Sequence, residues 1–241
     1  MAFYTDIHCH IMPGVDDGAQ DLEQSLAMLK IAEREKIRKI ILTPHQKPER
    51  RCVSVAGIEK RTAQLQEFLR RKKIDIELYP GSELFYRLGL RDMLAEGSVC
   101  TLANSHYVLV EFMPDEEWTY IRDAMYRLVS WGYWPIAAHV ERYAQVVKDL
   151  DRVEELIDMG CYMQLNTGSI MGDWGFSAKL LTRKLLKNNM VHFLGTDAHR
   201  DSGKRAPSME KCANWLLKKD EKYAQRLLWE NAESIFADTE L

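Results

Sequence analysis

The stretch "FYTDIHCHIMPGVDDGA", residues 3–19, is an apolar run that ends in two histidines one residue apart and then breaks into a Gly- and Asp-rich turn. A short run of this kind, rich in aromatic and β-branched residues, reads as a buried parallel strand. Side chains alternate along a strand, so His8 and His10 share one side while Cys9 faces the other and packs behind them. His8, His10, Asp16 and Asp17 place four nitrogen and oxygen donors at one strand end and its loop. That density predicts a metal site, on condition that other segments supply further ligands.

Six more runs repeat the pattern. They are "KIILTPH" (39–45), "IELYPGSELF" (76–85), "YVLVEF" (107–112), "WPIAAHVER" (134–142), "CYMQLNTGS" (161–169) and "VHFLGTDAH" (191–199). Helical periodicity fills the gaps. Leu22, Leu26, Leu29 and Ala32 follow a candidate cap at Asp21, and Ile58, Thr62, Leu65 and Leu69 repeat the step. Ala124, Leu128 and Trp131 do the same, as do Leu150, Val153, Leu156 and Ile157; 177–188, 208–219 and 221–229 also read as helices. Strands alternating with helices predict one parallel α/β domain over residues 1–241. Seven units point to a barrel related to the eight-unit (β/α) type, with an open doubly wound sheet as the alternative.

The strand ends then read in register. They carry His8 and His10, His45, Glu83, Glu111, His139, and Asp197 with His199, while Asp17 lies in the loop after the first strand. Five of the chain's seven histidines fall at these ends; His106 and His192 fall at strand beginnings and stand outside the set. In such barrels chemistry sits where strands end. Imidazole and carboxylate donors without a cysteine cluster suit Mn, Fe, Zn or Co. A catalytic ion takes about three protein ligands, so this set matches two or three divalent ions, with Glu83 able to bridge two. Clustered cations generate hydroxide near neutral pH, which is equipment for hydrolysing a phosphate ester. Arg142, Arg200, Lys204 and Arg205 stand beside the ligands, and an arginine fork fits phosphate oxygens. Arg200 reads best as a surface charge. Arg142 and Arg205 divide evenly between phosphate binding and pairing with acids such as Glu141 or Asp201.

Bulk properties narrow the class. The chain has 241 residues, 46% hydrophobic and 29% charged, the balance of a globular protein with a sizeable core. No apolar run approaches the ~20 residues of a membrane span, and no signal peptide is read at the N-terminus. Five scattered cysteines read as reduced thiols, which implies the cytoplasm. A net charge of −3 argues against general nucleic-acid binding. Basic residues crowd 34–73, and the "KPERR" segment (47–51), just after His45, could attract an anionic partner.

Taken in order, "DIHCHIMPGVDDGA", "TPH", "GSE", "VLVEF", "AHVERY" and "GTDAH" resemble the motifs of the polymerase-and-histidinol-phosphatase (PHP) superfamily. More narrowly they look like its bacterial manganese-dependent protein-tyrosine phosphatases of capsule and exopolysaccharide operons, over nearly the whole chain. The resemblance implies a distorted TIM-like barrel of seven βα units with a trinuclear centre. One ion would be held by His8, His10, Glu83 and Asp197, a second by Glu83, Glu111 and His139, and a third by His45, His199 and Asp17, with Asp16 the neighbour most easily confused with Asp17. Arg142 would match the family's phosphate-binding arginine, and Arg205, or Lys204 without an insertion, a second. Departures are Gln46 where a second histidine is common, Val140 where proline is common, and Ala232 after Asn231; none removes a ligand.

The expected reaction is attack of a metal-bridging hydroxide on phosphotyrosine, with Arg142 and Arg205 on the phosphate oxygens and Asp197 or His199 assisting the leaving group. The expected partner is the phosphotyrosine-bearing tail of a cognate bacterial tyrosine kinase. A cysteine nucleophile is excluded, because that chemistry needs Arg six residues after Cys; here those positions hold Val15, Ile58, His106, Thr167 and Lys218. Trp174 and Phe176 either face a substrate ring or pack in the core. A small-molecule phosphatase, for example for histidinol phosphate, and a non-catalytic metal-binding regulatory module are the rival readings.

Overall fold

A computed structural model describes residues 3–47 and 52–241 of the chain. The order of elements is β1 (Tyr4–Cys9), α1 (Leu22–Arg34), β2 (Ile37–Leu42), β3 (His45–Gln46), α2 (Val55–Lys72), β4 (Glu77–Pro80) and β5 (Glu83–Phe85). There follow α3 (Leu90–Ala95), β6 (Tyr107–Glu111), α4 (Trp118–Ser130), β7 (Trp134–Ala137), α5 (Ala144–Val147), α6 (Leu150–Asp158), β8 (Tyr162–Asn166) and α7 (Thr167–Met171). Last come α8 (Phe176–Lys187), β9 (Phe193–Gly195), α9 (Glu210–Lys219), α10 (Glu221–Gln225) and α11 (Asn231–Ala237).

Every strand pairing is parallel. β1, β2 and β4 form one sheet in that order, and β3, β5, β6, β7, β8 and β9 form the other. The two sheets are halves of one curled surface. Two predicted strands are each broken once, at Thr43–Pro44 between β2 and β3 and at Gly81–Ser82 between β4 and β5. Pro44 has no N–H for the ladder. Gly81 lies so close to β2 that a Cβ there would stand 2.7 Å from Ile41 Cγ2. The sheet curls far enough to bring its last strand beside its first: Asp197 N donates to His8 O (2.8 Å) and His10 N to Ala198 O (2.9 Å).

The helices form where periodicity predicts them, with shifts that packing explains. Asp21 caps α1 by accepting from Gln24 N (2.8 Å), and Ser54 caps α2 by accepting from Gly57 N (3.2 Å). The buried stripe of α1 is Ser25, Met28, Leu29 and Ala32; Leu22 is 44% exposed, so the stripe begins about one turn later than predicted. In α2 the predicted stripe Ile58, Thr62, Leu65 and Leu69 is the buried one. The sixth run is a strand only to Asn166 and continues as α7, and the fifth stops at Ala137. The final helical run reaches Ala237 rather than 229, through a wide π turn at Arg226–Glu230. Trp174 and Phe176 are not core residues: they are 47% and 72% exposed. Among the described residues no helix is long and apolar enough to cross a membrane.

Candidate metal centre

The nine donors predicted from strand ends come to one rim. His8 is on β1 and His10 one residue past it. His45 opens β3 and lies in register with Glu83, the first residue of β5; Glu111 ends β6. Beyond β7, His139 takes a left-handed backbone (φ 36°) that turns the chain into the short helical turn Val140–Arg142. Beyond β9, Asp197 does the same (φ 51°) before His199. A left-handed non-glycine residue is strained by about 1–3 kcal/mol and is a feature of functional sites.

The donor atoms face each other. His8 Nε2 and His10 Nε2 are 3.2 Å apart, and each lies 3.3–3.7 Å from Glu83 Oε2 and Asp197 Oδ1. His139 Nε2 is 2.9 Å from Glu83 Oε1 and 3.8 Å from Glu111 Oε1. His45 Nδ1 is 2.7 Å from Glu83 Oε2 and 3.6 Å from Glu111 Oε2. Asp17 Oδ1 lies 3.5 Å from His45 Nε2 and 3.8 Å from His199 Nε2. The His199 ring stacks on His10 at 3.9 Å.

These contacts fit divalent ions better than they fit one another. Two donors on one ion, each at about 2.0–2.2 Å, stand about 3–3.5 Å apart, the spacing found here. Among the described residues, His45 Nδ1, Glu83 Oε2 and His199 Nε2 are buried yet have no hydrogen-bond partner, although the first two are only 2.7 Å apart. Atoms so placed aim at shared points rather than at each other, and buried polar atoms are rarely left so. His8, His10 and Asp197 make one cluster of three; His8, Glu83 and His139, then His45, Glu83 and Glu111, and His10, His45 and His199 make three more.

A second layer fixes the first. Asp16 Oδ2 accepts from His10 Nδ1 (2.7 Å) and from His45 N (3.1 Å), and its Oδ1 accepts from Gly18 N (2.9 Å). Asp16 thus orients imidazole from behind, while Asp17 faces the rim. Gln164 Oε1 meets His8 Nδ1 at 3.1 Å and accepts from His139 N (2.7 Å). Asn166 Nδ2 donates to Asp197 Oδ2 (2.9 Å). The spacing rule for strand ends missed Gln164 and Asn166. Their signal was two polar side chains on alternate positions of the otherwise apolar run "YMQLN", which point to the same side as the ligands.

Electrostatics agree with a cation site. Burial raises the cost of charging Glu83, but the surrounding imidazoles of His8, His45, His10 and His139 hold its carboxyl well below the usual range. Burial works against a charged His10, yet the Asp16 and Glu83 carboxylates carry its pKa to about 10. Burial, His10 and Arg205 push His199 down to about 3. Carboxylates this deep need a compensating charge.

Arg142 Nη2 donates to Asp197 Oδ2 (2.6 Å), so its acid is a predicted ligand and not Glu141 or Asp201, and its side chain remains 34% exposed. Arg205 is partly buried and its charge reaches His199, whereas Lys204 is exposed. Arg200 is occupied with the carbonyls of Asp17 (2.6 Å), Gly18 (3.1 Å) and His199 (2.6 Å). His106 pairs with Asp238, and His192 Nδ1 accepts from Met163 N (3.1 Å), both away from the rim. Cys9 is fully buried behind it. Within "KPERR", Lys47 is described; residues 48–51 lie outside the described residues.

Comparison with known proteins follows the same line. The model of the family described as capsular polysaccharide synthesis, CpsB/CapC, matches residues 4–237. The chain is 32% identical to the tyrosine-protein phosphatase YwqE of Bacillus subtilis (strain 168) over 231 residues, 95% of this chain and 89% of that protein. It is 31% identical to the tyrosine-protein phosphatase CpsB of Streptococcus pneumoniae over 240 residues, 97% and 98% of the two chains. Its fold is similar to a structure from the work on YwqE and CpsB, which are described there as metal-dependent tyrosine phosphatases, with a TM-score of 0.89 at 30% identity, covering 98% of this chain and 95% of that one. A histidinol phosphate phosphatase from Lactococcus lactis shares the fold alone, with a TM-score of 0.61 at 15% identity, over 90% and 93% of the chains. On motifs, fold and relatives together, this chain belongs to the CpsB/CapC family.

Proposed function

We propose that the chain is a metal-dependent protein-tyrosine phosphatase, a phosphoric monoester hydrolase acting on a bacterial tyrosine kinase that regulates capsule or exopolysaccharide synthesis in the cytoplasm. The observation that carries the reading is the meeting of nine nitrogen and oxygen donors, from His8 to His199, on one rim beside Arg142. Two or three divalent ions would be held there, manganese foremost, with Fe, Zn or Co as alternatives: His8, His10, Glu83 and Asp197 for one, Glu83, Glu111 and His139 for another, and Asp17, His45 and His199 for a third. When bound, such ions acidify water and neutralise phosphoryl charge.

The chain's own groups do the rest. Arg142 and Arg205 orient and neutralise the phosphoryl oxygens. Asp16 and Gln164 hold the imidazoles in their tautomers and directions. Phenolate is a good leaving group, so little general-acid help is required of Asp197 or His199. The rim is supported by a distorted TIM-like barrel of seven βα units in a single domain over residues 1–241, in which β2 with β3, and β4 with β5, count as one stave each.

The test is metal analysis of the purified protein joined to turnover of p-nitrophenyl phosphate, a phosphotyrosine peptide and histidinol phosphate, before and after chelation. The reading expects bound metal, preference for the peptide, and loss of turnover on chelation that metal restores. Turnover indifferent to chelation ends it. Preference for histidinol phosphate moves the chain to the small-molecule class, and bound metal without turnover makes it a regulatory module.

A further inference from the structure

Lys47 is the first residue of the basic segment after His45, and it is not a loosely held surface lysine. The described segments on either side of residues 48–51 hold each other: Gln46 Nε2 donates to Val53 O (3.0 Å), and Cys52 Sγ donates to Lys47 O (3.2 Å). Gln46 is buried, and it stands where the resembled motif often carries a histidine. Its side chain therefore joins the segment 45–47 to Val53 instead of meeting the rim. Lys47 Nζ lies over the Phe85 ring, 5.9 Å from the centroid, and forms an ion pair with Glu111 Oε2 at 2.7 Å. Glu111 Oε2 is itself 3.6 Å from His45 Nδ1, so the ammonium touches the donor cluster directly.

The arrangement repeats that of Arg142. Each is a cation pinned by one carboxylate of the cluster, Arg142 by Asp197 and Lys47 by Glu111, and each stays partly open to solvent, 34% and 28%. Asp197 groups with His8 and His10, whereas Glu111 groups with His45 and Glu83, so the two cations serve different parts of the cluster. An ammonium carries three N–H donors, more than one carboxylate oxygen uses. We propose that Lys47 is a further phosphate contact of this site, holding an oxygen of the substrate's phosphoryl group from the Glu111 side while Arg142 holds another from the Asp197 side. The proposal rests on the phosphatase reading and adds to it a further substrate-binding residue.

The experiment uses the metal-loaded full chain and the variants Lys47→Met and Lys47→Arg. It reads KM and kcat on a phosphotyrosine peptide, the Kd of inorganic phosphate by calorimetry, and metal bound per chain. Lys47→Met is expected to raise both KM and the phosphate Kd by about tenfold, the worth of one charge-assisted hydrogen bond. It is expected to leave metal content unchanged, with Lys47→Arg restoring most of the binding. Unchanged KM and phosphate Kd overturn the proposal. So does metal loss in Lys47→Met, which would make the lysine a support for Glu111 only. A wild-type chain that holds metal but binds neither phosphate nor the peptide overturns the parent reading before any variant is compared.

Discussion

Asp16 and Asp17 are adjacent, identical in type and divided in role by one step of backbone. Asp16 spends both oxygens on His10 Nδ1, His45 N and Gly18 N, while Asp17 turns an oxygen to His45 and His199. Asp16→Asn keeps an acceptor for His10 but removes the charge that raises its basicity. Supporting residues of this kind cost about 10–100-fold in metal affinity, so half-activation should need that much more metal, with kcat at saturating metal near wild type. Asp17→Asn should instead lower activity at saturating metal. Activity titrated against metal concentration separates the two, and identical curves for the variants would refute the division. The roles were not legible in "VDDGA", because residue type and spacing are the same for both. Turn geometry decides which carboxylate faces inward, and a strand-alternation argument stops where the strand stops. His8, His10, His45, Glu83 and Glu111 lie within strands or one residue past them, within reach of a reading by strand ends, and the fold brings these five together.

At the scale of elements, the rim depends on how near β9 comes to β1. A Cβ on Gly195 would lie 2.6 Å from His8 Cβ and 3.0 Å from Gln164 Nε2. Gly195→Ala should therefore push a strand away from a ligand, cost about 1–3 kcal/mol by overpacking and reduce bound metal. Urea unfolding with metal analysis reads both, and unchanged values in both would show that the strands have room. "GTDAH" marks the glycine, but the need for it arises from a strand more than 180 residues away, which periodicity does not see. A neighbouring pair of strands, β8 and β9, carries a pH effect remote from the rim. His192 accepts from Met163 N through Nδ1, and burial, with Arg226, pushes its pKa down to about 4. Unfolded, it protonates near pH 6.5. Between about pH 6.5 and 4 the unfolded chain binds the proton that the native ring refuses, so stability is full above 6.5 and falls as pH drops, by at most about 3 kcal/mol. His192→Gln retains an acceptor without the titration. Urea midpoints at pH 7 and pH 5, in chelator, should fall less for the variant than for the parent.

For the molecule as a whole, the donors lie on or just beyond six strands drawn from both halves of the curled sheet, so ions held among them would cross-link segments from His8 to His199. An unfolded chain cannot assemble such a set, and binding energy at the rim is therefore stability of the fold. At free metal about a thousand times Kd, the gain is about 4 kcal/mol, and in a chain of this length each kcal/mol moves Tm by about 2–4 °C. Chelation should lower Tm by roughly 10 °C and abolish turnover together, and one metal should restore both at the same concentration. His45→Ala should have a lower Tm in metal than the wild type and a smaller drop on chelation, because it removes a donor shared by two clusters. The mere loss of a packed imidazole would instead lower Tm equally with and without metal. Scanning calorimetry of both proteins, with and without chelator, distinguishes these outcomes. Equal drops on chelation for the two would mean that the ions, wherever they bind, are not held by the side chains assembled at this rim.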